Sequence, residues 1–129
     1  MNNIEIKGWA KDRGLAAVVQ ATFPQYKRKK VYVRAAESVT FYDINWSGGT
    51  RSEYRACTLD GQQLGSLDRY HALAPWDPRQ IEGKTVPVPA GAVVVRGGYF
   101  CGKESILTLH VNPADMPRYV EYQAKDRVS

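Results

Sequence analysis

The stretch AVVVRGGYFCGKESILTLHV, residues 92–111, decides how the chain is read. Val93–Val95 form a β-branched run that continues to Tyr99 and Phe100. A glycine–lysine pair, Gly102–Lys103, marks a tight turn. Leu107, Leu109 and Val111 then recur at every second position. Two strand-like runs around a glycine turn are the signature of a β-hairpin, and the period of two places Leu107, Leu109 and Val111 on its buried face. Gly97–Gly98 interrupts the first arm and reads as a bulge.

Upstream, KRKKVYVRAAESVTFYDINW keeps the same period. Val31 and Val33 alternate with Tyr32 and Arg34. Thr40, Tyr42, Ile44 and Trp46 share one face, opposite Val39, Phe41, Asp43 and Asn45. RSEYRACTL, residues 51–59, reads as a further strand ending at an Asp–Gly turn. Between these strands, Ser47–Thr50 reads as a four-residue hairpin loop. The competing reading is an anion-binding nest, since SGGTR offers flexible amides and an arginine; it has neither a P-loop lysine nor a following helix.

The one good helix candidate is DRGLAAVVQATFPQY. Leu15, Val18, Val19 and Thr22 fall on one face, Asp12 can cap the start and Pro24 ends the run. NPADMPRYV predicts a short helical turn with Asn112 as cap and Pro113 at the first position.

The expected order is a helix, five or six strands and a short helix. The fold class is α+β: an N-terminal helix packed on a mostly antiparallel sheet whose strands can curl into a partial barrel. The 129 residues suit one domain. It divides into a helix and basic connector (1–29), strands (30–67), a proline-rich loop (68–91), the hairpin and short helix (92–120) and a frayed tail (121–129). The loop holds four of the seven prolines and admits at most an edge strand.

Charge is unevenly placed. The formal net charge is +5. Residues 1–36 carry eight Lys/Arg against two acids, whereas the remainder carries ten against eleven. The densest point is Tyr26–Lys30, where Lys27, Arg28, Lys29 and Lys30 follow one another. Cations favour the C-terminal end of a helix, but four in a row exceed what a helix end needs. They predict an electrostatic patch for an anionic partner. Arg51 at the mouth of the hairpin loop and Arg69, Tyr70 and Trp76 in the proline-rich loop are residue types that anchor protein interfaces and are the expected secondary contacts.

Other chemistries lack their signatures. His71, His110, Cys57 and Cys101 show none of the close pairing that a zinc site uses, so no metal and no cofactor is expected. Ser47 lies outside any strand-to-helix nucleophile elbow. Asp68, Asp77 and Glu82 have the composition of a solvated loop. The N-terminus has no apolar signal-like run, and no stretch approaches the length of a membrane span. The expectation is a cytoplasmic protein of a host cell with free thiols at Cys57 and Cys101.

NWSGGTRSEY (45–54) and GGYFCGKESILTLHVNPADMPRYV (97–120) resemble segments of small accessory proteins encoded by tailed phages and prophages. The likeness covers residues 30–120 and includes no catalytic motif. It implies a phage or mobile-element protein that binds host machinery, including defence proteins. The leading expectation is therefore non-catalytic binding of a host protein. Nucleic-acid binding through Tyr26–Lys30, with Tyr32, Arg34, Tyr42 and Trp46 as neighbours, is the alternative. A small hydrolase or nuclease comes third.

Overall fold

The computed structural model describes residues 3–42, 50–62, 64, 83–100, 103–104 and 106–128. The chain is α+β. It opens with a strand, β1 (Asn3–Lys7), then a 3-10 turn (Trp9–Lys11) and α1 (Arg13–Thr22). β2 (Lys30–Ala35), β3 (Ser38–Thr40), β4 (Thr50–Thr58), β5 (Thr85–Pro87), β6 (Ala92–Phe100), β7 (Lys103–Glu104) and β8 (Thr108–Val111) follow. A second 3-10 turn (Pro113–Asp115) leads into α2 (Met116–Val128).

The main sheet runs β1-β2-β8-β6-β4, with β7 paired to β6. All of its pairs are antiparallel except β2 with β8. Among the described residues the sheet is open, with β1 and β4 at its edges, and its strands do not close into a barrel. β3 and β5 form a separate antiparallel pair.

Alternation along the strands creates two cores. On one face, Ile4, Ile6, Val31, Val33, Leu109, Val111, Val93, Val95 and Cys57 meet Leu15, Val18 and Val19 of α1 and Tyr119 of α2. On the other face, Tyr54, Ala56, Ala92 and Val94 meet Val39, Phe41, Val86 and Val88 of the β3–β5 layer. Each buried valine or leucine stabilises the fold by about 1.5–3 kcal/mol relative to exposure. The small layer covers the β6–β4 half of that face. Towards β2 and β8 the same face carries Tyr32, Arg34, Thr108 and His110.

Three expectations are corrected. First, the chain begins with a strand rather than a helix. NIEIK alternates, with Ile4 and Ile6 buried, but five residues are too few to announce a period. Second, β6 has no bulge at Gly97–Gly98, because it faces β4 residue for residue from Thr58↔Ala92 to Thr50↔Phe100. The irregularity is in the return arm. Arg96 faces Thr108 and Tyr99 faces Glu104, so the extra residue falls between β7 and β8. Third, residues 121–128 continue α2 instead of fraying. Tyr119 is buried and meets the ring of Tyr122 edge-on at 5.7 Å, and both pack with the core. β4 is paired with β6 and β3 with β5. Of the expected hairpin with its loop at Ser47–Thr50, residues 43–49 lie outside the described residues.

The other elements match expectation. Asp12 Oδ1 accepts from the amides of Gly14 and Leu15, capping α1. Asn112 Oδ1 accepts from the Ala114 amide at the second 3-10 turn. Leu107, Leu109 and Val111 are buried. The proline-rich loop ends in β5, one edge of a two-stranded sheet, with Pro87 at its last position.

Candidate functional site

The connector from α1 to β2 turns back on the N-terminal strand. Gly8 sits at φ 66°, a left-handed conformation that glycine adopts without strain, and its amide donates to Lys29 O at 2.6 Å. Trp9 Nε1 donates to Arg28 O at 3.2 Å, and the Tyr26 hydroxyl donates to Lys30 O at 2.6 Å. The rings of Trp9 and Tyr26 stack at 6.3 Å. Three successive carbonyls, of Arg28, Lys29 and Lys30, are thus each held by the rest of the fold. The side chains of Lys27, Arg28 and Lys29 are exposed, and among the described residues none has an acidic partner. The result is a cationic ridge on a fixed backbone.

Lys30 differs from its three neighbours. It begins β2, is half-buried, lies 3.9 Å from the Glu5 carboxylate and stands over the Tyr32 ring at 5.5 Å. Lys7, paired with Lys30 across the β1–β2 ladder, also approaches Glu5, at 3.6 Å. Tyr32 donates its hydroxyl to Glu5 at 2.8 Å. That hydrogen bond, then the charges of Lys30 and Lys7, holds the Glu5 carboxyl below its usual pKa. Lys7 and exposed Lys11 extend the basic edge beyond the cluster that the sequence singles out. The charge excess of residues 1–36 was their signal. Their position beside the cluster depends on the β1–β2 pairing.

Arg51 does not join this ridge. It lies on β4, at the opposite edge of the sheet, with its backbone paired to Tyr99. Arg69, Tyr70 and Trp76 lie outside the described residues. Tyr42, expected near the cluster, is exposed just beyond the β3–β5 layer, where its amide donates to the Tyr54 hydroxyl.

A second polar group sits on the sheet face away from the helices. By register, Arg34 lies beside His110, and His110 beside Val94. In the adjoining row Tyr32, Thr108, Arg96 and Tyr54 are neighbours. Arg96 donates through Nε and Nη2 to Ser52 Oγ at 3.1 and 2.9 Å and stands over the Tyr54 ring at 5.9 Å. His110 Nε2 is buried and has no hydrogen-bond partner. Burial, then the charges of Arg34 and Arg96, lowers the His110 pKa to about 4, so the imidazole is neutral at pH 7.

Cys57 faces the helices and His110 the other side, so the sheet separates this thiol from this imidazole. Burial also raises the Cys57 pKa to about 12, which keeps it protonated. Among the described residues, no three His, Cys, Asp or Glu side chains are grouped to hold a metal ion. Among the same residues, no helix is long and apolar enough to cross a membrane. Comparison of the chain with protein-family models, curated proteins and solved structures found no match.

Proposed function

We propose that the protein acts by binding rather than by catalysis, presenting Lys27, Arg28 and Lys29 to an acidic surface of a host protein in a phage or mobile-element setting. The observation that carries this reading is the ridge itself. Three exposed cations stand on a backbone whose carbonyls at Arg28, Lys29 and Lys30 are already bonded, so docking orders side chains but not the chain. Such a patch steers an anionic partner and raises its association rate. A protein in the host defence machinery is the partner class that the phage resemblance implies.

Nucleic acid is the second reading. Lys7, Lys11 and Lys27–Lys30 supply phosphate contacts without regard to sequence. One feature favours a protein partner instead. Trp9, Tyr26 and Tyr32 are committed to internal contacts, so none of these three rings is open for the base stacking that single-stranded binders use.

The test is the triple charge reversal Lys27→Glu, Arg28→Glu, Lys29→Glu. Wild-type protein should retain one host protein from nuclease-treated lysate, and the variant should lose it. Retention that disappears on nuclease treatment, together with DNA or RNA affinity falling steeply with salt, replaces this reading with the second. Equal retention by both proteins rejects the ridge as the contact.

A further inference from the structure

We infer that Glu5 is a built-in attenuator of the ridge: its carboxylate engages Lys30 and Lys7 and so limits how tightly the basic edge holds an acidic partner. The inference rests on the ridge being the docking surface and concerns what regulates that surface. Residues 1–36 contain two acids, Glu5 and Asp12. Asp12 is occupied at the start of α1, where it accepts from the Gly14 and Leu15 amides. Glu5 is therefore the acid that meets the cations. Antiparallel pairing sets it opposite Tyr32 and sets Lys7 opposite Lys30. Alternation puts these four side chains on the sheet face away from the helices, because Ile4, Ile6, Val31 and Val33 take the other.

Three groups converge on the one carboxylate. The Tyr32 hydroxyl donates to Oε2 at 2.8 Å, Lys30 Nζ lies 3.9 Å from Oε2, and Lys7 Nζ lies 3.6 Å from Oε1. Lys30 also stands over the Tyr32 ring at 5.5 Å, so one aromatic residue orients both the acid and the cation. Lys30 is next in sequence to Lys27–Lys29, yet its ammonium is directed to an internal acid, while theirs have no acidic partner among the described residues. A partner's carboxylate that approaches Lys30 or Lys7 must compete with one held on the adjacent strand at high effective concentration. It also meets the like charge of Glu5. As a stability element this solvent-facing cluster contributes little. Its effect falls on binding, where neutralising Glu5 releases two cations and removes one repulsive charge.

The probe is a fluorescein-labelled hexaglutamate peptide, whose anisotropy with the full chain at pH 7 and low salt gives the affinity. Glu5→Gln removes the charge and keeps a side-chain oxygen to accept from Tyr32. It should tighten binding about two- to fivefold, the range that one exposed ion pair carries. That gain should fall by at least half when Lys7 and Lys30 are both replaced by alanine, because the released cations are then absent. Glu37→Gln removes an exposed acid between β2 and β3, outside this cluster, and should give a smaller change. An unchanged affinity for Glu5→Gln overturns the inference. So does an equal gain without the two lysines, an equal gain from Glu37→Gln, or an absence of peptide binding by both wild type and Glu5→Gln. The reversal of Lys27, Arg28 and Lys29 reports separately: peptide binding that survives it rejects the ridge itself, whatever Glu5→Gln does.

Discussion

A Cβ atom on Gly97 would stand 2.8 Å from Cε1 of Phe23. The ring that closes α1 rests on the backbone of the inner strand β6, and only a residue without a side chain admits it. The Cζ atom of the same ring and Cδ1 of Leu107 would lie at 2.9 and 3.1 Å. The close approach explains a glycine that otherwise reads as a bulge.

Gly97→Ala should therefore destabilise the fold by about 1–3 kcal/mol, the usual cost of overpacking a core. Phe23→Leu in the same chain should recover part of the loss, because it removes the clashing ring atoms. Urea denaturation of the two variants, with the cycle closed by Phe23→Leu alone, measures the coupling.

His110 predicts an acid-sensitive stability. Its folded pKa of about 4 lies below the ordinary 6.5, so between these values the unfolded chain binds more protons. Its contribution is complete above about pH 6.5 and is lost as the pH falls toward 4. The full loss amounts to roughly 3 kcal/mol. The stability difference between wild type and His110→Phe, followed from pH 7 to pH 4, should shift against the wild type by that order. A constant difference would show that the imidazole is not held neutral.

Asp12→Ala should cost about 1 kcal/mol, since it leaves the Gly14 and Leu15 amides without their shared acceptor. Asp12→Asn or Asp12→Ser should recover most of it. Thermal denaturation distinguishes the three substitutions.

Cys57 should resist alkylation in the folded protein. Its thiol is fully buried, and burial raises its pKa to about 12, so almost no thiolate is present at pH 8. Peptide mass spectrometry after iodoacetamide treatment should find Cys57 unmodified under native conditions and modified in denaturant. Fast native modification at Cys57 would contradict its place in the core.

The ridge predicts a surface effect without a folding effect. The triple reversal at Lys27, Arg28 and Lys29 should change stability by less than about 1 kcal/mol, because exposed charges away from buried networks contribute little. Trp9→Phe should instead cost more than about 1 kcal/mol. It removes the indole N–H from Arg28 O and part of a buried ring. Comparing the two denaturation curves separates the charges from the scaffold that displays them.

The chain's local patterns alone determined the α+β class, α1 with its Asp12 cap, the hairpin of β6 and the return strand, and the run of cations at Lys27–Lys30. Each rests on residues close in sequence, where periodicity, capping and charge can be read directly. Tertiary structure decided the rest. β1 declares itself only by pairing with β2, and the parallel β2–β8 contact joins segments that no local pattern links. Gly97 is explained by the Phe23 ring, 74 positions away in the chain. Lys7 joins the basic edge through the β1–β2 register, and Arg51 lies away from it because β4 is at the other edge of the described sheet. The grouping of Arg34, Arg96 and His110 has the same origin. Three polar residues on separate strands become neighbours only when the ladder aligns them, and such non-local pairing depends on the packed fold, which no short window of sequence contains.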